Sequence, residues 1–274
     1  MAGSAFVAEL TKLVKRPAAW LLLGIAIVLA LLFTYVIPYL GATGQSSGPR
    51  ADRGIAAILP AGLVGNSLSG LPVFLGALLV VLGVLMVGGE YGWGTWKTVL
   101  GQGPSRLAVF GAKLASLAVA ALVFVLAMFA FGALASVIVA AARDGSTAFP
   151  SAYEIVRGIG AGWLIATMWT AFGAVLAILL RGVALAVGLG LVWMLAVQNL
   201  ISLLAAPLLP WVDSAQRGLP GPGAGSLAAA LGADTGTPGV QALVGAGPAA
   251  VVVAAYLAGF ALVGAAVLRR RDIL

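Results

Sequence analysis

Six long stretches of this sequence are apolar and carry no charged residue. A helical membrane span needs about 20 apolar residues, and charged residues are costly inside it, so the charges mark where spans end. The predicted spans cover residues 18–40, 68–87, 114–142, 158–180, 183–206 and 249–268. With 62% hydrophobic and 8% charged residues, a soluble domain of this size could not bury its apolar surface. The sequence predicts an all-α polytopic membrane protein with six transmembrane helices.

The distribution of lysine and arginine predicts which side of the membrane each connection faces. With the N-terminus in the cytoplasm, ten of the fifteen lysines and arginines lie inside, and the net charge is +7 inside and zero outside. This agrees with the positive-inside rule, so we expect both termini to be cytoplasmic. The first apolar stretch is too long for a cleavable signal peptide. The segment from Gly54 to Asn66 is either re-entrant or interfacial.

Cysteine and histidine are both absent from the sequence. This excludes disulfides, thiolate and imidazole metal sites, and catalysis by a histidine base. No metal site and no catalytic residue are therefore predicted, and nucleic-acid binding is not expected, because inside positive charge is usual in a membrane protein.

Residues 3–16 are predicted to form an amphipathic helix on the membrane surface. Its apolar positions recur at helical spacing: Phe6, Val7, Leu10, Leu13 and Val14. The basic residues on its other face are Lys12, Lys15 and Arg16. Such a helix lies in the headgroup plane with its basic side chains toward anionic lipid, and the following proline, Pro17, suits a turn into the first span.

The connection at residues 88–104 is the most informative part of the sequence. It combines an acid, aromatic residues, glycines and a base on the predicted cytoplasmic side, more chemistry than a simple connector needs: Glu90, Tyr91, Trp93, Gly94, Thr95, Trp96 and Lys97. Arg106 and Lys113, seven residues apart, are expected to share a helix face and flank Glu90. An interfacial loop anchored by its aromatic rings is a compatible interpretation.

The predicted spans contain no ionisable residue at depth, which argues against a proton-coupled transporter. Uncharged polar residues are the remaining candidates for a substrate pathway: Asn66, Thr170, Gln198 and Asn199. The adjacent amides Gln198 and Asn199 are the strongest pair, because amides in lipid are costly unless they are partnered. The outer connection at residues 211–247 is rich in glycine and proline and predicts turns and short helices.

These features together resemble the permease subunit of ABC-2-type transporters. The resemblance rests on the basic helix that ends in Lys15-Arg16-Pro17, on Glu90-Tyr91 followed by Gly94-Thr95 and Lys97, on Gly103-Pro104-Ser105-Arg106 and Lys113, and on the terminal Arg270-Arg271-Asp272. Family members often have a basic residue after the Glu-Tyr pair, where this chain has Gly92.

The resemblance implies an ATP-driven exporter of the bacterial inner membrane, of the type V-like fold. Two permease chains, as a homodimer or heterodimer, would each bind an ABC ATP-binding subunit, and residues 90–101 would form the coupling helix. This chain has no Gly-x-x-x-x-Gly-Lys-Ser/Thr loop, so ATP and Mg would bind to the partner subunits and no cofactor to this chain. Substrates would be hydrophobic or amphiphilic: a drug, as in multidrug efflux, an antibiotic, a peptide or a lipid.

Two other classes of function remain open from the sequence. A stand-alone secondary transporter or channel would transport by itself in liposomes. A membrane-anchored immunity protein would keep its phenotype after truncation of the loop at residues 88–104.

Overall fold

The computed structural model describes residues 2–48, 50–92, 105–205 and 208–270, and the regular secondary structure in these ranges is helical. In chain order the helices are α1 (Ala2–Lys15), α2 (Pro17–Ala42), α3 (Leu63–Leu68), α4 (Phe74–Gly92), α5 (Arg106–Ala142), α6 (Ala152–Leu180), α7 (Ala184–Leu200), α8 (Pro210–Gln216), α9 (Pro220–Ala229) and α10 (Ala246–Arg270). Within the described residues, five of these are long and apolar enough to span a membrane: α2, α4, α5, α6 and α10. The expectation of an all-helical polytopic membrane protein is confirmed.

The segment predicted as the fifth span, residues 183–206, is less regular than the others. Helix α7 is apolar but shorter than a span. It contains a π-helical stretch at Val192–Val197, and a second one at Ile201–Ala205 follows it directly. Helix α2 has a similar stretch at Leu32–Val36. Six crossings therefore remain a prediction, because α7 and its π-helical extension stand where the sequence predicts the fifth span.

Local sequence explains where several helices begin. Pro17 occupies the first turn of α2, where its missing N–H has no partner to lose. The Ser105 hydroxyl accepts a hydrogen bond from the Ala108 amide (3.2 Å) at the start of α5. Helix α6 begins with a capping box, in which Ser151 and Glu154 each satisfy a backbone amide of the other.

Glycine allows α4 and α6 to pack closest in the core. A Cβ on Gly83 would collide with the carbonyl oxygen of Thr170, and a Cβ on Gly173 would collide with that of Val80. Trp169 is fully buried beside this contact. Small residues serve membrane helices in this way. Lipid gives no hydrophobic driving force for helix association, so the van der Waals contact of closely approaching backbones must supply it.

Contacts divide the bundle into two ends. At the first, which we call the α1 end, α1 meets the end of α4 and the start of α5, and the Arg106 guanidinium donates to the carbonyl oxygen of Leu268 near the end of α10 (3.2 Å). At the other, the α3 end, Arg53 pairs with Asp234 (3.0 Å). The first and last described helices therefore bring the N-terminal segment and Leu268 to the same end.

The helix of the second span is shifted from its predicted place at residues 68–87. It begins at Phe74 and continues through Gly92, because Gly70 and Pro72 interrupt helical structure after α3. The third helix also begins eight residues before the predicted span at 114, so Lys113 is helical. The predicted loop at 88–104 is therefore helical at its start, and its residues 93–104 lie outside the described part of the chain.

The connections at the α3 end pack into the bundle. Three 3₁₀ turns, at Ala51–Arg53, Ile55–Ile58 and Pro60–Gly62, precede α3, whose six residues are all buried. Protein therefore covers this irregular backbone, as a re-entrant segment would require, and the choice between a re-entrant and an interfacial segment stays a prediction. Within the predicted outer loop at 211–247, α9 is also buried and packs against α10.

Candidate functional site

Four charged side chains form a closed ring at the α1 end. The Lys113 ammonium lies 2.7 Å from a carboxylate oxygen of Glu9 and 2.7 Å from one of Glu90. The Lys12 ammonium bridges the same two carboxylates from the other side, at 2.7 Å from Glu9 and 3.0 Å from Glu90. We call Glu9, Lys12, Glu90 and Lys113 the charge ring. Two positive and two negative charges alternate in it, so its net charge is zero.

The charge ring joins three helices that are distant in the sequence. Glu9 and Lys12 lie one turn apart on α1, Glu90 is two residues before the end of α4 as described, and Lys113 lies two turns into α5. Glu9, Glu90 and Lys113 are 2–3% exposed, and they are the buried charged residues of the described chain. Burial of paired charges gives little net stability, but removal of one partner leaves an uncompensated buried charge.

The electrostatics of the ring favour its charged form. Burial by itself raises the pKa of the Glu9 carboxyl, but Lys113 and Lys12 outweigh it and hold that pKa below its ordinary range. Burial likewise opposes the charge on Lys12, but Glu9 and Glu90 outweigh it and raise the Lys12 pKa. Glu9 and Lys12 are therefore both charged near neutral pH.

Acid should weaken the ring through Glu9. A carboxyl with a lowered folded pKa contributes stability above its unfolded pKa, and this contribution is lost as the pH falls below about 4.3 toward the folded value. We expect the thermal unfolding temperature of the chain in nanodiscs to fall across this range. Because other carboxyls also titrate there, the control is Glu9→Gln, which should be less stable at pH 7 and lose less on acidification. Equal losses in both proteins would contradict the assignment.

The structure corrects the predicted orientation of α1. Lys12 joins the charge ring, and the Arg16 guanidinium donates to the carbonyl oxygen of Leu85 on α4 (2.6 Å). Of the three basic residues that were expected to face lipid, Lys15 is exposed. Leu13 of the apolar stripe is buried, whereas Val7 and Val14 are exposed. The helix therefore packs on α5 through Glu9 and Leu13, because the buried charges of α4 and α5 attract its polar face.

The residues predicted for ATPase coupling are divided by the described range. Glu90 is buried in the ring and Tyr91 is half-buried against the core. Trp93, Gly94, Thr95, Trp96 and Lys97 lie outside the described residues. Lys113 contacts Glu90 as expected, whereas Arg106 donates to Leu268. The sequence did not single out Glu9. Two lysines beside Glu90 alone would leave one positive charge without a partner, and Glu9 is the one acid of α1 that could neutralise it.

An open groove lies next to the point where α4 leaves the described range. It is about 490 Å³ in volume and is lined by the starts and ends of three helices, with Arg16, Gly89, Tyr91, Arg181 and Gly182 among its residues. Arg181 is exposed and has the left-handed backbone (φ 53°) that begins the three-residue turn from α6 to α7. The groove is basic and adjoins the predicted coupling segment.

The four candidate pathway residues lie in three places. Thr170 is buried and its hydroxyl donates to the Thr167 carbonyl oxygen (2.9 Å) at the contact of α4 and α6. Gln198 is buried against Gly221 of α9, and Asn199 donates to its own helix at Leu195 (2.8 Å). Both amides border a void of about 20 Å³, which is enough for one water molecule. Their role in a substrate pathway stays a prediction.

Asn66 borders a larger cavity at the α3 end. This cavity, of about 210 Å³, lies between α2, α4 and α5 and has a mixed lining of apolar residues, hydroxyls and Arg50. The Asn66 amide donates to the carbonyl oxygen of Ala57 (2.8 Å), and its side-chain oxygen accepts from Arg53 (3.3 Å). Asn66 therefore holds the 3₁₀ segment in place beside the cavity.

Comparison with known proteins gives one family. The family described as ABC-2 family transporter protein matches residues 5–197, which is more than half of the chain. The matched range contains α1 to α6 and most of α7, including all four residues of the charge ring. A comparison with curated proteins finds no match.

Proposed function

Because the chain belongs to the ABC-2 transporter family, we propose that it is the permease subunit of an ATP-driven exporter in the bacterial cytoplasmic membrane. In this proposal it forms the translocation pathway with a second permease chain, and each chain is driven by a separate ATP-binding subunit that holds ATP and Mg. The transported compound is hydrophobic or amphiphilic.

The observation that carries the proposal is the position of the charge ring. Glu90 lies just before residues 93–104, and Lys113 lies shortly after them; their side chains are 2.7 Å apart. The helices on both sides of the predicted coupling segment are therefore joined through the charge ring, which also includes Glu9 of α1. A force applied to this segment by a partner would act on α1, α4 and α5 together rather than bend one loop.

Glu90 acts in this proposal as a positioning residue. Its carboxylate is buried among lysines of the same chain, so the ATP-binding subunit would instead contact residues further along the segment, such as Trp96. The basic groove lined by Arg16 and Arg181 offers a second contact for an acidic surface of that subunit. The switch between inward- and outward-open states would then be a rigid movement of the anchored helices.

The absence of buried charge elsewhere supports an external source of energy. Among the described residues, the buried charged side chains are all in the ring at the α1 end. Proton-coupled transporters use ionisable residues along the pathway, and a paired, neutral ring at one end of the bundle does not supply them.

Association with an ATP-binding subunit from the same genome tests the proposal. We expect co-expression to give a complex that survives mild detergent, and Trp96→Ala or Arg181→Glu to weaken association by about tenfold, as loss of one interface contact does. The matched control is Arg157→Glu, an exposed arginine in the first turns of α6, far from the α1 end, which should leave association unchanged. Absence of a complex, or ion-coupled transport by the chain alone in liposomes, would overturn the proposal.

A further inference from the structure

We propose that the cavity between α2, α4 and α5 is a binding site for a single-chain anionic amphiphile. Its tail would lie among the apolar residues toward the middle of the bundle, and its head would meet Arg50 at the α3 end. This binding is a property of the chain alone, and it goes beyond the exporter proposal.

The lining of the cavity is mainly apolar, and its polar residues come mostly from the α3 end. Ile27, Ala30 and Met128 are among its apolar residues, whereas Thr34, Asn66 and Ser69 are among its polar ones. From Ile27 to Thr34 the cavity follows α2 for roughly 10 Å, at 1.5 Å per residue. Its volume of about 210 Å³ exceeds that of an apolar cavity that holds benzene, about 150 Å³, but is below the range of drug-sized pockets, about 300–1,000 Å³. This size and polarity suit a slender amphiphile.

One buried hydroxyl in the lining lacks a hydrogen-bond partner. The hydroxyl of Ser67 is unpaired among the described residues, and Ser67 is 6% exposed. The buried Tyr35 hydroxyl lies beside Asn66, whose amide group has one N–H and one acceptor site left after its bonds to Ala57 and Arg53. Unpaired buried polar groups are rare in folded proteins, so the Ser67 hydroxyl indicates a ligand with a hydrogen-bonding atom.

Gly132 keeps the space at these hydroxyls open. A Cβ at this position of α5 would lie 3.0 Å from the Tyr35 hydroxyl oxygen and 3.3 Å from that of Ser67. The two hydroxyls thus converge on the one point of α5 that has no side chain. Any larger residue there would fill the polar part of the cavity.

Arg50 selects the charge of the ligand. Arg53 is paired with Asp234 (3.0 Å), whereas no carboxylate of the described residues pairs with Arg50, whose guanidinium lies over the Phe33 ring at 5.3 Å. Burial and the neighbouring positive charge of Arg53 lower the pKa of Arg50, and Asp234 opposes this shift. An anionic head would give the Arg50 guanidinium a charged partner at the polar end of the cavity.

The cavity borders three phenylalanines that are exposed on the outer surface of the bundle. Phe33, Phe74 and Phe131 line it and are 40–46% exposed. They come from the three helices that enclose the cavity. In a bilayer, an amphiphile could therefore enter the cavity laterally from the lipid, between these rings.

Photo-crosslinking of the full chain tests the site directly. The chain is reconstituted in phosphatidylcholine nanodiscs with laurate that carries a diazirine at its tail, and the labelled peptides are mapped by mass spectrometry. We expect saturable labelling within 27–35 of α2 or 128–132 of α5, which laurate competes and dodecanol competes at least about tenfold less well, because charge-assisted contacts are the stronger ones. Labelling spread over the lipid-facing surface without competition would overturn the proposal.

Variants with matched controls test the named residues. We expect Arg50→Gln and Gly132→Ala to reduce site-specific labelling by about tenfold, the effect of losing one charged hydrogen bond or the space for it, and Ser67→Ala by a smaller factor. The controls are Arg217→Gln, an exposed arginine, and Gly111→Ala, where a Cβ on the same helix would meet no atom within 4 Å. If all variants that retain the parent's melting temperature label like the parent, the site is wrong; the Ser67→Ala change is mild enough to keep this comparison available.

Two sources can supply such a ligand, and the assembled transporter distinguishes them. If laurate raises ATP hydrolysis by the complex, and Gly132→Ala but not Gly111→Ala removes this effect, the cavity holds a transported compound. If laurate binds without changing hydrolysis, and a single-chain lipid copurifies with the parent but not with Gly132→Ala, the cavity holds a resident lipid. Because the labelling uses the chain alone, its failure would leave the exporter proposal intact.

Discussion

Replacing the buried Lys113 by methionine should destabilise the chain more than replacing any of its exposed lysines or arginines. Lys113 is 2% exposed and bonds both Glu9 and Glu90 at 2.7 Å, so its loss leaves two buried carboxylates with Lys12 as their shared cation. Removal of one partner from a buried ion pair costs about 3–5 kcal/mol. The measurement is unfolding by SDS in mixed micelles, followed by tryptophan fluorescence.

Two further variants distinguish a lost charge pair from lost packing. Lys15→Met removes an exposed lysine from α1 and should change stability by less than about 0.5 kcal/mol. The double variant Glu90→Gln with Lys113→Met removes one charge of each sign, so it should be less destabilised than the sum of the single variants. Additive effects, or a Lys113→Met variant as stable as Lys15→Met, would show that the charge ring is not formed in the membrane.

The second large effect is expected at the contact between α4 and α6. Alanine at Gly83 would place a methyl group against the backbone carbonyl of Thr170, and alanine at Gly173 against that of Val80. Backbone atoms of two long helices cannot move aside as a flexible side chain can. We expect each substitution to cost about 3 kcal/mol or more, at the upper end for overpacked cores, in the same unfolding assay.

The matched control for this prediction is Gly160→Ala on α6. A Cβ at Gly160 would meet no atom within 4 Å, and alanine favours a helix over glycine by about 1 kcal/mol. Gly160→Ala should therefore be neutral or stabilising. If Gly173→Ala behaved in the same way, the two helices would be packed less closely than the structure has them.

Periodicity and charge placement predicted the helices but not how far each extends. The sequence ended the second span at Val87 because Gly88, Gly89 and Glu90 suggest a loop, yet α4 continues through Gly92. Glu90 can remain helical and buried there because Lys12 and Lys113 pair with it. Helix α9 is a different case: turns and short helices were predicted for its glycine- and proline-rich segment, but not that such a helix would be buried in the bundle.

The pairings of the candidate sites could not be predicted because they join distant positions. Glu9 and Lys113 are separated by 104 residues, and a helical pattern gives the faces of a helix without the neighbour that each face meets. Lys12 and Arg16 were expected to face lipid for this reason. The cavity at Tyr35, Ser67 and Gly132 depends likewise on three helices, none of which shows a distinctive pattern at that point.

The charge ring also sets an order of events during synthesis. Glu9 and Lys12 leave the ribosome long before their partner Lys113, and translation at about 5–20 residues per second makes the interval about 5–20 s. During this time α1 cannot complete its contacts, because the buried lysine that bonds both Glu9 and Glu90 has not yet been made. A chain truncated before Lys113 would lack this connection between α1, α4 and α5. The packing of α1 is therefore completed only after the start of α5 has been synthesised.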